Sequence, residues 1–346
     1  MALTKVDTSM VESSGAFGRR NIIINGDYSI YQRASSATGV GASAAYPTAD
    51  RWVINPSTEG RLTMTAGTAD APAESNVTTS LKLACTTADT SVGAGQYCLL
   101  DQRIEGHNLQ HVKKGTSGAK QLTASFWVKG NANATYVVEL YDGDNARQVS
   151  KSFSVTSSWS KVELTFPADT TGAFGNDNGL SLFFQIWLLG GSNYTSGTLS
   201  ETWTSVTAAN RAVGISNFFS STSNEFYITA VQLEVGDVAT EFEVLSYGEK
   251  LTLCERYYHK ADLAGNKPFW LHPLTTGDAI YRRNYYKFPT EMRAAPTVTV
   301  TNTASGYTAS TSGTELITKS KTGVICDGAG STGYAQCDAL AADAEL

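Results

Sequence analysis

The chain has 346 residues with 26 Lys and Arg against 32 Asp and Glu, a net charge of −6, and its basic residues adjoin only in the pairs Arg19-Arg20, Lys113-Lys114 and Arg282-Arg283. That leaves no basic patch to neutralise phosphates, so nucleic acid is excluded as a main partner, and no apolar run reaches the ~18 residues of a membrane span. Charged residues are 17% of the chain, below the usual quarter, and Ser, Thr, Gly and aromatics take their place, which fits short strands joined by polar turns better than a helical enzyme.

In chain order, residues 1–20 read as a polar arm too poor in apolar groups to fold alone, and 1–14 lack the apolar stretch of a signal peptide. Next, Ile22-Ile23-Ile24, the turn signal Asn25-Gly26 and the alternation Tyr28-Ser29-Ile30-Tyr31 predict a strand, a turn or bulge and a second extended piece. Leu122, Ala124, Phe126 and Val128 alternate with Thr123, Ser125, Trp127 and Lys129. Tyr136, Val138 and Leu140 alternate with Val137, Glu139 and Tyr141, and Val162, Leu164 and Phe166 mark another apolar side. The longest alternation, Leu180 to Leu188, carries Phe183, Gln185 and Trp187 on its other face. In 226–235 the apolar set changes parity between Ile228 and Val231, as a β-bulge requires. Strands with one apolar face each predict a two-sheet sandwich over 21–245.

Tyr247, Leu251, Cys254 and Tyr258 recur at helical spacing, predicting a short linking helix within 246–260. A smaller β domain is expected over 246–346, with 338–346 a short acidic helix or a frayed end. The fold class is therefore all-β.

Motifs for catalysis are near misses. Gly328-Ala329-Gly330-Ser331-Thr332-Gly333 matches the dinucleotide fingerprint, but the 13 residues after it cannot supply the helix, second strand and acidic ribose contact. His107 and His111 stand four apart without a third metal ligand, and Asp142-Gly143-Asp144-Asn145 starts like a calcium loop that no Glu closes, so it reads as a hairpin turn. Cys85/Cys98 and Cys326/Cys337 could each clip a hairpin; the simpler reading is small buried hydrophobes in a reducing cytoplasm. No catalytic residue, cofactor or metal is assigned, and the chain is expected not to be an enzyme. The functional signal is aromatic: Trp127, Tyr141 and Trp187 hold the non-core parity, with Gln185, Lys129 and Glu139 as hydrogen-bonding neighbours suited to a sugar. The competing reading is that a neighbouring subunit or the second domain covers this face. Trp52 and Trp159 are expected to pack at the sandwich ends.

Several segments, in order, resemble bacteriophage tail-fibre and related virion surface proteins that carry jelly rolls like carbohydrate-binding modules of families four and nine. They are Ala2-Leu3-Thr4-Lys5-Val6 with Ser9-Met10, the stretch 20–33, Ser125-Phe126-Trp127-Val128-Lys129, Val231-Gln232-Leu233-Glu234-Val235-Gly236, the stretch 246–258 and Phe288-Pro289-Thr290-Glu291-Met292-Arg293-Ala294-Ala295-Pro296. The resemblance implies a jelly roll, an arm that attaches to the virion and contact with host surface glycan through Trp127, Tyr141, Gln185 and Trp187. Such a protein is made in the host cytoplasm and displayed on the virion surface. A homotrimer is also expected, because the aromatic-rich region around Phe269-Trp270 and 281–288 exceeds what about 100 residues readily bury. Related jelly rolls often hold a structural calcium near the first strand, where Asp27 is a conceivable ligand. The alternatives are a secreted carbohydrate-binding module of a polysaccharide-degrading system or a depolymerase; the latter usually needs a repetitive β-solenoid, and no such repeat is found.

Overall fold

Alternation becomes two facing sheets in the first of two compact units, which divide between Ser246 and Tyr247. The computed structural model describes residues 19–262, 269–274, 282–301, 317–328, 333–337 and 339–346. Unit one is a jelly-roll β-sandwich. Its strands are β1 (Ser36–Val40), β2 (Trp52–Ser57), β3 (Arg61–Thr68), β4 (Ser80–Thr87), β5 (Tyr97–Glu105), β6 (Leu122–Gly130), β7 (Ala134–Asp142), β8 (Arg147–Val155), β9 (Ser160–Phe166), β10 (Leu180–Gly190), β11 (Thr204–Ser205) and β12 (Glu225–Val235). A first sheet runs β1-β3-β4-β12-β6-β9 and a second runs β11-β8-β7-β10-β5-β2.

The inward parities read from the sequence fill the space between the sheets. Leu122, Ala124, Phe126 and Val128 from β6 meet Tyr136, Val138 and Leu140 from β7 and Leu182, Phe184, Ile186 and Leu188 from β10 in one core. The bulge in β12 is present: its pairing with β6 shifts between Thr229 and Gln232, and Ala230 takes φ 50°. Trp52 is fully buried within this core, against Tyr28 and Phe184, rather than at a sandwich end.

The stretch 21–33 corrects the strand–turn–strand expectation. Its apolar residues Ile22, Ile23, Tyr28 and Ile30 are buried, but the backbone forms bends and turns instead of ladder strands. Side-chain amides take over the backbone groups. Asn21 Oδ1 accepts from the N–H of Ile23 and of Leu233, both at 3.0 Å, and Gln102 bonds both the N–H and the C=O of Ile24. Such local capture competes with sheet pairing. Gly26 passes so close to β12 that a Cβ there would lie 2.0 Å from the Val231 carbonyl oxygen.

Unit two holds α2 (Tyr247–Glu255) and the strands β13 (Tyr258–Asp262), β14 (Phe269–Leu274), β15 (Arg282–Lys287), β16 (Thr297–Thr301), β17 (Ile317–Lys319), β18 (Gly323–Gly328), β19 (Gly333–Cys337) and β20 (Ala339–Asp343); the short helix α1 (Ser192–Thr195) belongs to unit one. The linking helix is shorter than its periodicity suggested, since Tyr258 opens β13. The chain's last segment is no helix: β20 sits between β13 and β16, and Leu340 and Ala342 alternate into a small core with Phe288 and Met292. Residues 329–332 of the glycine-rich match lie outside the described residues, and a strand rather than a helix follows at Gly333. Cys85 and Cys98 are free and buried on opposite sheets; the side chains of Cys326 and Cys337 lie outside the described residues.

Candidate functional site

The four residues expected to share a sugar-binding face lie on two opposite ones. Trp127 is on β6 of the first sheet, whereas Tyr141 on β7 and Gln185 and Trp187 on β10 belong to the second. All four hold the outward parity, so the sandwich core separates Trp127 from the others.

On the second sheet the outer face is closed. The connection from β10 to β12 folds back over it, and Ala212 with Tyr194, Leu199 and Ile215 packs against Trp187, Leu99 and Val137. Trp187 is 1% exposed, and its indole Nε1 donates to Glu139 Oε2 at 2.8 Å. Arg211 donates to the same carboxylate and, through Nη2, to Gln185 Oε1 at 3.1 Å, while its guanidinium stands 5.1 Å from the Tyr141 ring centroid. Gln185 is 3% exposed and Tyr141 half-buried. This corrects the expectation for Gln185 and Trp187: their outward parity is real, but the chain's own loop supplies the cover, so neither is open to a sugar.

The outer face of the first sheet is covered in part: Thr123, Thr229, Gln232 and Glu234 are buried and bonded to Gly236, Thr79 and Thr240, while Trp127, Lys129 and Tyr227 stay half-buried. At the β12 bulge the register break beside Thr229, the partner of Trp127, leaves a concavity of about 160 Å³. The half-buried Trp127 indole lines it, with Ser125, Lys161, Thr240, Glu241 and Asn76. Asn76 takes the left-handed φ of 59° that ends the 3-10 turn Ala73–Ser75, which places an exposed carboxamide at the rim. An indole surrounded by carboxamide, hydroxyl, ammonium and carboxylate groups is the composition that stacks a sugar ring and bonds its hydroxyls.

Next to this pocket runs an alternating band of cations and rings. Lys82 Nζ stands 5.2 Å and Lys129 Nζ 4.7 Å from the Tyr227 centroid, and Lys129 also lies 5.2 Å from Trp159. Two carboxylates cap the band: Glu225 takes Lys82 at 2.7 Å and the Tyr227 hydroxyl at 2.9 Å, and Asp70 takes Lys129 at 2.6 Å and the Trp159 indole at 3.1 Å. The hydrogen bond from Lys129 holds the Asp70 carboxyl below its usual range. Partial burial pushes Glu225 up, yet its bonds from Lys82 and Tyr227 outweigh this and take it below. With amines against the faces of Tyr227, the ring open to a ligand is Trp127. Trp159 comes from the turn between β8 and β9, at the sandwich end, and its ring packs into this band.

Tyr227 was legible, since it precedes the bulge on the outward parity; Asp70 and Trp159 come from turns, where no periodicity marks a face. His107 Nδ1 is engaged by Asn176 at 2.9 Å, and Asp27 Oδ1 accepts from the Ser29 hydroxyl at 3.1 Å. Asp142 Oδ1 accepts from the N–H of Asp144 and Asn145, so Asp142-Gly143-Asp144-Asn145 is the turn it resembled.

No family model and no curated protein matches the chain. Among solved structures, a CBM4 module is 13% identical with a TM-score of 0.33, over 61% of this chain and 98% of its own. TmCBM61, solved in complex with beta-1,4-galactotriose, is 10% identical with a TM-score of 0.29, over 63% of this chain and 100% of its own. The N-terminal cellulose-binding domain of Cellulomonas fimi beta-1,4-glucanase C is 14% identical with a TM-score of 0.30, over 61% of this chain and 100% of its own. At these scores the likeness assigns no residue role and no ligand to this chain.

Proposed function

We propose that this chain is a structural, non-catalytic surface protein of a bacteriophage virion, a tail fibre or a head fibre or decoration protein, whose sandwich contacts host surface glycan. It assembles as a homotrimer and attaches to the particle through its N-terminal arm, of which residues 1–18 lie outside the described residues. The ordered set of fibre-like segments from Ala2 to Pro296 supports the virion part. The glycan part is carried by one observation: the half-buried Trp127 indole lining a polar concavity on the outer side of the first sheet. A secreted carbohydrate-binding module would use the same pocket, so the two readings separate by location. A glycan array probed with the full chain and with Trp127→Ala tests the pocket; an antibody against the chain, viewed on particles by electron microscopy, tests the virion. Absence of any glycan bound by the full chain overturns the first part, and unlabelled particles overturn the second.

A further inference from the structure

A second concavity, of about 240 Å³, opens at the end of the sandwich where β6 turns into β7. Asn131, Asn133, Tyr136, Val155, Asn224 and Glu225 are among the residues that line it. Its wall carries no free charge, because Glu225, the charged lining residue, is taken by Lys82 and by the Tyr227 hydroxyl. Two of the carboxamides, Asn131 and Asn224, are held by the turns they build and keep one half available, whereas Asn217 has both halves engaged. Asn131 Oδ1 accepts from the Glu225 N–H at 2.8 Å, which leaves its NH₂ as a donor. Asn224 Nδ2 donates to the Phe218 carbonyl at 2.8 Å, which leaves its side-chain oxygen as an acceptor.

Tyr136 is the unusual member. Its ring is 4% exposed and packs against Phe153 and Phe226 with centroids 6.2 Å and 5.5 Å away. Burial alone pushes its phenol pKa up, so the hydroxyl keeps its proton, and that hydroxyl makes no hydrogen bond to any described residue. The ring is buried, but the residue lines the concavity, and its hydroxyl is a donor there that a ligand group can engage.

We propose that this end pocket is a second ligand site, for one neutral N-acetylated sugar unit. An acetamido group matches the wall: its carbonyl accepts from the Tyr136 hydroxyl and the Asn131 NH₂, its N–H donates to the Asn224 oxygen, and its methyl meets Val155. The absence of free charge on the wall disfavours acidic or cationic ligands. The site stands apart from the Trp127 pocket and does not rest on the reading of that pocket.

The test is ligand-observed NMR titration of the full chain with N-acetylglucosamine and, separately, glucose. N-acetylglucosamine is expected to bind and glucose to bind markedly less. Tyr136→Phe should weaken N-acetylglucosamine by about tenfold, the scale of one hydrogen bond, with an unchanged melting temperature, since the hydroxyl supports nothing in the fold. Asn131→Ala should weaken it as well, and Trp127→Ala should leave it unchanged. The proposal is overturned if N-acetylglucosamine does not bind, if glucose binds equally, if Tyr136→Phe binds as the parent does, or if Trp127→Ala abolishes binding.

Discussion

Arg211 grips Glu139 through two nitrogens: Nε donates to Oε1 at 2.9 Å and Nη2 to Oε2 at 2.9 Å, with the Glu139 carboxylate fully buried. The guanidinium also lies 5.0 Å from the Trp187 ring centroid, so one side chain binds a charge on β7 and covers a ring on β10. A face whose composition suits a sugar has thereby become the inner wall of a loop.

Because that pair is buried, removing either partner strands the other charge. Arg211→Ala should cost about 3–5 kcal/mol, whereas Arg211→Met with Glu139→Gln should cost less, since neither charge is left behind. Trp187→Ala should cost about 3–5 kcal/mol through the cavity it opens. Urea denaturation followed by tryptophan fluorescence measures all three, and a Trp187→Ala protein as stable as its parent would restore the open-face reading.

Trp127→Ala should behave in the opposite way. The half-buried ring packs outside the core, so stability should change by less than about 1 kcal/mol, the scale of surface substitutions. Affinity for whichever glycan the array identifies should fall by roughly 1–3 kcal/mol, the contribution of a large apolar side chain at a contact. Calorimetric titration decides this: unaltered affinity removes Trp127 from the site.

The contrast between these two tryptophans marks what the sequence could tell. Parity placed both outside the core, correctly, and it located the β12 bulge. Parity cannot say which sheet a strand joins, and Trp127 and Trp187 were separated by pairing between distant segments. Nor does it foresee cover: the loop over Trp187 has no period, and its anchor Arg211 is one basic residue among 26. The 21–33 stretch failed as a strand for a related reason. Asn21, Asn25 and Gln102 carry polar groups that match backbone groups, and hydrophobic alternation takes no account of them.

Asn25 shows how much that matching contributes. Its side chain accepts from the Ile30 N–H at 3.0 Å and donates to the carbonyls of Ile30 and Asp50 at 2.8 and 3.0 Å, and its backbone sits at φ 58°. Asn25→Ala should destabilise by about 3 kcal/mol, because buried backbone groups lose their partner and Ala tolerates this φ poorly. Asn25→Gly removes the second cost only, so it should remain clearly destabilised in thermal unfolding. A Gly variant that melts with the parent would assign the role to backbone conformation instead.

Deleting residues 2–14 tests the arm. Few of these residues are apolar, so the sandwich should melt as in the full chain, while incorporation into particles should be lost. Truncated protein recovered on purified virions would end the anchoring proposal.

The acid–base behaviour of the sandwich should be set by Asp101, fully buried on β5. Burial pushes its pKa up to about 7 against the opposing pull of Arg103, whose Nε stands 3.7 Å from Oδ2. Burial likewise takes Asp50 up to about 6. At a pH below the ordinary carboxylate value both states hold the proton and neither group affects stability. Between that value and about 7, the folded chain holds a proton that the unfolded chain has released, so raising the pH favours unfolding. The loss is complete above about pH 7 and is on the order of 4 kcal/mol for Asp101. His111 and His259, held below their usual pKa by burial, act with the opposite sign below about 6.5, so the parent profile alone is ambiguous. Asp101→Asn isolates the contribution: it should match the parent near the acidic end and exceed it in chemical denaturation at about pH 8. If the two profiles instead run parallel from about pH 5 to 8, Asp101 titrates as an ordinary carboxylate despite its buried place on β5 beside Gln185.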